Sequence, residues 1–372
     1  MIKIMSVFGT RPEAIKMAPL VKKLEADPEI ESVVCVTAQH RSMLDQVLEL
    51  FDINPDYDLD IMKPNQTLTM ISANVLSGIE PVLLKEKPDM VLVHGDTTTT
   101  FITALACFYQ QIPVGHVEAG LRTYDKYSPF PEEMNRLLVS RIAELYFAPT
   151  ERNRQNLLRE GVDASRIPVT GNTVIDALLD VAGRPYEFED ETLKNIDFEN
   201  KRVITVTCHR RENLGEYMAN IFNALADIAR EFDDVEIVYP VHLNPKVRDA
   251  AAKYLGGLRN VHLIDPLSYQ PFVNLQARSY FILTDSGGMQ EEAPALGKPV
   301  LVVRRETERP EAIEAGTARL AGVERQSVYS MAKELLTDEA SYLKMAHASN
   351  PYGDGHACER IVAEIKKYFE AV

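Results

Sequence analysis

The chain has 372 residues, which at about 100–200 residues per domain suggests two domains. With 45% hydrophobic and 26% charged residues and no low-complexity tract, its composition is that of an ordinary globular protein. Against 55 Asp and Glu stand 40 Lys and Arg, a formal net charge of −15. That charge repels phosphate backbones and anionic lipid at long range, so nucleic-acid and membrane-surface partners are not expected.

The opening MIKIMSVFGTRPE holds a short apolar stretch broken by Gly9, Arg11 and Pro12. It reads as a buried strand, with no secretory cleavage pattern after it. No stretch approaches the roughly 18 apolar residues of a membrane span. Cys35, Cys107, Cys208 and Cys358 lie far apart without CxxC pairing, so neither a zinc site nor a disulfide framework is implied. A soluble cytoplasmic enzyme or binding protein is the expectation.

Short β-branched apolar runs then alternate with helical patterns, the signature of a parallel sheet. The first series places strands at 2–8, 32–37, 90–94, 114–117, 145–147 and 167–169, with helices between them at 13–24 and 43–51 among others. Ile15, Ala18, Leu20, Val21 and Leu24 supply the near-helical spacing of the first helix. The pattern breaks at 183–201, a polar and acidic run that reads as a boundary region. A second series follows, with strands at 203–207, 236–239, 262–264, 281–284 and 300–303. The fold class is therefore α/β: two Rossmann-like domains, 1–182 and 183–356, facing each other across a cleft. A last helix at about 357–372 either finishes the second domain or packs back on the first. One large doubly wound sheet is the alternative, and the length and the acidic break favour two domains.

Ligands of open α/β sheets bind beyond the carboxyl ends of the strands, so the polar loops that follow strands are informative. In FGTRPEAIK, Gly9 turns the chain and Pro12 suits a first helical position, with Arg11 and Lys16 near the helix amino terminus. Cations there oppose the helix dipole unless an anion sits between them; a tight turn with two solvated cations is equally compatible. The turn has one glycine and is not GxGxxG, which counts against a dinucleotide cofactor. In VLVHGDTTTT, Asp96 directly follows a strand, either as a helix N-cap or as a site acid. In VGHVEAGLRT, Glu118 ends the next strand with Arg122 close behind, and a carboxylate in so apolar a stretch points to function. The Pro-rich YSPFPEEMNR delivers Glu132, Glu133 and Arg136 to a helix start, where acids are also ordinary dipole partners. Carboxylates crowded in a partly dry pocket push one another's pKa apart, which suits general acid–base chemistry without a metal. His94 and His116 are expected as core histidines.

In the second half, TCHRREN sets His209, Arg210 and Arg211 just past a strand. TDSGGMQEEAPALGKP sets Ser286, Gly287 and Gly288 between a strand and a helix, where backbone N–H groups can approach a diphosphate closely. Glu292 is placed to accept from a ribose diol. A Gly-Gly turn alone is also ordinary punctuation.

Taken together, FGTRPEAIKMAPL, VTAQHR, DQVL, VHGDTTTT, GHVEAGLRT, FPEEMNR, TGNTVIDAL, HRREN, YPVHLNP, LTDSGGMQEEAP, TERPE and NPYGDG resemble the bacterial non-hydrolysing UDP-N-acetylglucosamine 2-epimerases. The matches run from residue 2 to about residue 356, nearly the whole chain. The resemblance implies a glycosyltransferase-B type fold, a homodimer, no NAD or metal requirement, and interconversion of UDP-N-acetylglucosamine and UDP-N-acetylmannosamine for surface-polysaccharide synthesis. By the same resemblance Asp96, Glu118 and Glu132 correspond to catalytic acids and His209 to an essential histidine. Arg11, Lys16, Arg136 and Arg309 correspond to substrate contacts, Phe272 to the residue holding uracil, Ser286, Gly287 and Gly288 to the diphosphate cradle, and Glu292 to the ribose ligand. It further implies a second, activating UDP-N-acetylglucosamine site at Gln39, Glu132, Arg210 and His242, with Ser42 and Asn65 where other members carry Gln and Arg. Side-chain alternation along an extended His209-Arg210-Arg211 would turn Arg210 away from His209. Leu267 and the run Arg304-Arg305-Glu306-Thr307 also depart from the common family pattern.

Overall fold

A computed structural model describes residues 1–38, 41–63 and 65–371. The chain forms two compact units, one of Met1–Ala177 with Tyr352–Val372 and one of Leu178–Pro351. The first contains β1 (Ile2–Phe8), β2 (Ile30–Val36), β3 (Tyr57–Asp58), β4 (Met90–His94), β5 (Val114–Val117) and β6 (Leu145–Phe147). The second contains β7 (Arg202–Thr207), β8 (Val235–Pro240), β9 (Val261–Ile264), β10 (Phe281–Thr284), β11 (Val300–Val302) and β12 (Ala318–Leu320). Each unit carries one six-stranded sheet, in the order β3-β2-β1-β4-β5-β6 and β12-β11-β10-β7-β8-β9. Every pairing in both sheets is parallel.

The two orders are the same doubly wound topology, because each chain segment starts in mid-sheet and winds first to one side and then to the other. The reversal falls between β1 and β4 in the first unit and between β7 and β10 in the second. Loops leaving those central strands diverge to opposite faces and open a crevice at the carboxyl edge, which is where each unit collects its polar side chains. The strands themselves are apolar on both faces, as buried parallel strands must be. Ile4, Met5, Val7 and Phe8 of β1 and Ile204 and Val206 of β7 are fully buried.

Three features differ from the sequence reading. The 183–201 run is not an open linker: Phe188, Leu193 and Ile196 pack on Val203, Val238, Ile264 and Leu275 of the second unit, and Phe188 stacks on Phe198 at 5.5 Å. Its apolar residues are spaced too irregularly to register as a helix or strand, and the units divide earlier, within the helix Thr173–Ala182. The expected strand at 167–169 contributes a single bridge, Val169 to Ala148, since Pro168 has no N–H to continue a ladder. β3 and β12, two and three residues long, carried too little pattern to be read.

The last helix, Ala357–Ala371, belongs to the first unit. Buried Asp176 caps it, accepting from the backbone N–H of Ala357 (3.2 Å) and Cys358 (2.8 Å). Ion pairs tie it to the first helix and the turn after it, Lys23 to Glu359 at 2.7 Å and Lys366 to Asp27 at 3.2 Å. All four cysteines are free and buried. Among the described residues no helix is long and apolar enough to cross a membrane.

Candidate active site

In the first unit, the loops after β1 and β4 are stitched across the topological switch by one carboxylate. The chain turns at Gly9 and starts a helix, Arg11–Ala26, with Thr10 at its N-cap. Glu13 reaches back from the first turn, its Oε2 accepting from the backbone N–H of Gly9 (3.1 Å) and Thr10 (2.8 Å) and from the Thr10 hydroxyl (2.7 Å). Its Oε1 accepts from the hydroxyls of Thr97 (2.7 Å) and Thr100 (3.1 Å), in the loop and helix after β4. Gly9 is obligatory at this crossing, because a Cβ there would come within 1.9 Å of the Thr37 hydroxyl. The sequence reading missed Glu13, although Thr10-x-x-Glu13 is the spacing of a capping box.

Thr97, not Asp96, caps the following helix, its hydroxyl accepting from the Thr100 N–H at 3.2 Å. Asp96 is thereby free of the capping role and lies against Arg136, with Oδ2 at 2.9 Å from Nε and 2.7 Å from Nη2. Asn135 donates its side-chain amide to the Asp96 carbonyl at 2.8 Å, fixing the turn. Arg136 projects from the helix Glu132–Ile142, one turn beyond Glu132, so the two share a face. Glu132 is half-buried, and its carboxylate has no ion pair or hydrogen bond among the described residues. Glu133, fully buried, instead holds the preceding loop by accepting from the backbone N–H of Thr123 and Tyr124 at 3.1 and 2.9 Å.

Glu118 follows β5 in a left-handed conformation, φ 63°, a backbone state uncommon for a non-glycine residue and concentrated at functional sites. Its Oε2 bonds the Lys16 ammonium and lies 3.4 Å from His94 Nε2. Its other oxygen lies close to Gly95, where a Cβ would stand 3.9 Å away. Burial alone would raise this carboxyl, but Lys16 and His94 together outweigh burial and hold it well below the ordinary carboxylate range. His94 is therefore more than the expected core histidine: it is buried, yet turned to the carboxylate. His116 does behave as a core residue, with Nε2 2.7 Å from the Gly95 carbonyl and burial pushing it down to about 4. Arg122 is turned away to Glu160, at 2.7 and 2.9 Å. Arg11 stands half-buried at the start of the first helix.

In the second unit the same position in the sheet is stitched by Asp285, directly after β10. Its Oδ2 accepts from the backbone N–H of His209 (2.8 Å) and Arg210 (2.7 Å) and from the Asn213 side-chain amide (3.1 Å). Two successive N–H groups converging on one oxygen make this a turn. The alternation expected of an extended segment does not apply to Arg210, since β7 has already ended at Thr207. The His209 ring stacks on His242 with centroids 5.2 Å apart. The two histidines assigned to separate sites are thus neighbours. Burial, His242 and Arg210 draw the His209 pKa below its ordinary value, against the pull of Asp285 upward. Asp285 is not singled out in sequence, although it follows β10 immediately, whereas Gly95 separates Asp96 from β4.

Ser286 is the N-cap of the short helix Gly287–Glu292. Arg309 bonds Glu291 through Nε, and its guanidinium lies over the turn, where a Cβ on Gly287 would stand 3.7 Å away. The unusual loop before it is anchored by Thr307, which donates to Gln290 (2.6 Å) and accepts from the Arg309 N–H (3.0 Å). Gly288 is exposed and Glu292 half-buried in the same first turns. Phe272 is half-buried on the helix Tyr269–Arg278. Gln39 lies outside the described residues. Among those described, no cluster of His, Cys, Asp and Glu could hold a metal ion.

Residues 22–366 match the UDP-N-acetylglucosamine 2-epimerase family. A putative UDP-N-acetylglucosamine 2-epimerase of Thermotoga maritima is 60% identical over 369 residues, covering 99% of this chain and 97% of that protein. The crystal structure of a putative UDP-N-acetylglucosamine 2-epimerase from Listeria monocytogenes superposes with a TM-score of 0.95 at 55% identity, covering 100% of this chain and 97% of that one. The Neisseria meningitidis UDP-GlcNAc 2-epimerase, solved bound to UDP-GlcNAc, gives 0.83 at 52% identity, covering 98% of this chain and 100% of that one. The glycotransferase of kitacinnamycin, at 13% identity and a TM-score of 0.66, shares the fold alone.

Proposed function

This chain belongs to the UDP-N-acetylglucosamine 2-epimerase family, and from that premise we propose that it interconverts UDP-N-acetylglucosamine and UDP-N-acetylmannosamine by eliminating and re-adding UDP. A carboxylate takes the C2 proton as the C1–O bond to UDP breaks, leaving a 2-acetamidoglucal. UDP then returns to C1 while a proton reaches the opposite face of C2. The step moves one proton and one diphosphate, and it balances without a hydride acceptor.

What supports the reading is that the loops after β4 and β5 and the start of the helix Glu132–Ile142 each supply a carboxylate in the first unit: Asp96, Glu118 and Glu132. Glu118 is kept in its unprotonated form by Lys16 and His94, the form a general base requires, and loss of the Lys16 charge on binding would strengthen it as a base. Asp96 is neutralised by Arg136, and Glu132, without a side-chain partner, is free to deliver a proton to the other face. In the second unit the Ser286, Gly287 and Gly288 backbone, Arg309 and His209 are the groups to hold the diphosphate and stabilise it as it leaves. Glu292 is assigned to the ribose and Phe272 to the uracil; Arg11 completes the phosphate contacts. Arg210 and His242, with Gln39 and Glu132, are assigned to a second, activating nucleotide sugar.

A homodimer is supported by Leu84, Phe108 and Tyr109, large apolar side chains exposed on the neighbouring helices Leu68–Glu86 and Thr98–Tyr109. Four unpaired cysteines suit a reducing, cytoplasmic setting, and a role in supplying surface-polysaccharide precursors follows from the nucleotide-sugar product. The test is product analysis by chromatography: both UDP-sugars accumulating to a constant ratio supports the reading. Accumulating UDP with free N-acetylmannosamine would make the enzyme a hydrolase. Substrate returned unchanged would leave a glycosyltransferase or a sensor.

A further inference from the structure

Asp285 is fully buried, and its two oxygens are unequally served. Oδ2 takes all three hydrogen bonds, from His209 N, Arg210 N and Asn213 Nδ2. Oδ1 takes none, and 4.0 Å from it stands His209 Nε2. A buried carboxylate oxygen without a donor is costly. Holding the His209–Arg210 turn does not require it, because an asparagine carbonyl would accept from the same N–H groups. The buried Cys208 thiol beside this carboxylate is only a weak donor, and the His209 imidazole is placed to become a strong one.

We propose that Asp285 is a positioning residue for His209, taking the Nε2–H of an imidazolium on Oδ1 while the second ring nitrogen donates to the ligand's diphosphate. The separation must close by about 1 Å to reach ordinary hydrogen-bond length, a tightening common between free and liganded active sites. The proton comes from solvent as the ligand binds.

Among the described residues, the groups facing the ring are the stacked His242, the adjacent Arg210 and Asp285. Burial, His242 and Arg210 disfavour a charged ring, and Asp285 favours it. The free protein therefore holds His209 largely neutral near pH 7, and a diphosphate adds the negative charge that tips it. Asp285 makes that second proton accessible. The inference rests on the reading that His209 attends the diphosphate.

The experiment is side-chain NMR of the full chain with labelled histidine, the His209 signal assigned by its loss in His209→Gln, titrated with and without UDP. In Asp285→Asn the His209 midpoint is expected to move down, and in His242→Gln up. UDP binding to the parent at pH 7 should be accompanied by proton uptake, read by calorimetry in two buffers of different ionisation enthalpy, and Asp285→Asn should abolish it. Turnover of Asp285→Asn should fall by about 10²-fold with KM little changed. An unchanged His209 midpoint in a folded Asp285→Asn protein would overturn the proposal. Should that variant fail to fold, a His209 that stays neutral in the UDP complex of the parent at pH 7 overturns it equally. The titration needs no turnover, so an inactive parent with a shifted midpoint would retain the Asp285–His209 pair while discarding the epimerase reading.

Discussion

Glu13 is the substitution on which the first unit's site should be most sensitive, although the carboxylate is assigned no contact with substrate. It accepts from five donors in two loops, those of Gly9, Thr10 (twice), Thr97 and Thr100. In Glu13→Ala the hydroxyls have alternatives; that of Thr100 already reaches the His94 carbonyl at 2.5 Å. The Gly9 and Thr10 N–H groups have none, and two buried donors left unpaired cost about 1–3 kcal/mol each, or roughly 4 kcal/mol together. For a unit of about 200 residues, that is a fall of about 8–16 °C in its unfolding midpoint. Glu13→Gln can keep its carbonyl on the two N–H groups and turn its amide to the hydroxyls, so about 1 kcal/mol and about 2–4 °C are expected. Scanning calorimetry measures both midpoints, and turnover is assayed below the transition. Because Glu13 sets the distance between Arg11 and Asp96, the Ala variant should also lose about 10²-fold in rate while still folded. Two variants within about 2 °C of the parent, or an Ala variant no worse than Gln, would refute the reasoning.

The other expectations concern the acids, the nucleotide sites and pH. Asp96→Asn, Glu118→Gln and Glu132→Gln should each lower turnover by about 10²–10⁴-fold while UDP affinity, measured by calorimetry, stays near that of the parent; equal losses in both would assign them to binding instead. Arg210→Ala should weaken activation by a trace of UDP-N-acetylglucosamine in assays starting from UDP-N-acetylmannosamine, and a parent that runs at full rate without lag or response to the trace removes the activating site. Asp354 is held at about 2 by its hydrogen bonds to Arg360, below its unfolded value near 3.9, so its stabilisation is present above about pH 4 and lost as pH falls through about 2. Asp354→Asn should therefore unfold more easily than the parent at pH 7, by less than about 1 kcal/mol for so exposed a pair, with the gap closing in acid; a gap independent of pH contradicts the assignment.

What was readable in the sequence followed from period and position. β1, β4, β5, β6 and β10 have the expected bounds because each is a short, mostly apolar run set between polar or turn-forming residues. Asp96 and Glu118 stand out in the sequence because each is a carboxylate at the carboxyl end of a strand. What the sequence did not reveal is mutual orientation. Nothing in the order of residues says that Glu13 and Asp285 would each bridge a switch point, since their partners lie 84 to 87 residues away in one case and 72 to 76 in the other. His94 was read as core from its place in the strand, and the ring is indeed buried, but its last residue position lets Nε2 reach Glu118. The Asp96 capping alternative failed for a reason of one residue: Thr97 is equally good at an N-cap and sits where the helix begins.

The most direct test of the central claim is proton NMR of UDP-N-acetylglucosamine with the enzyme in D2O, without added NAD or metal. Removal and return of the C2 proton should place deuterium at C2 in UDP-N-acetylmannosamine and then in the recovered substrate, with the C1-linked UDP retained. Epimerisation with the C2 proton wholly unexchanged, or epimerisation that begins only when NAD is supplied, would contradict the elimination account.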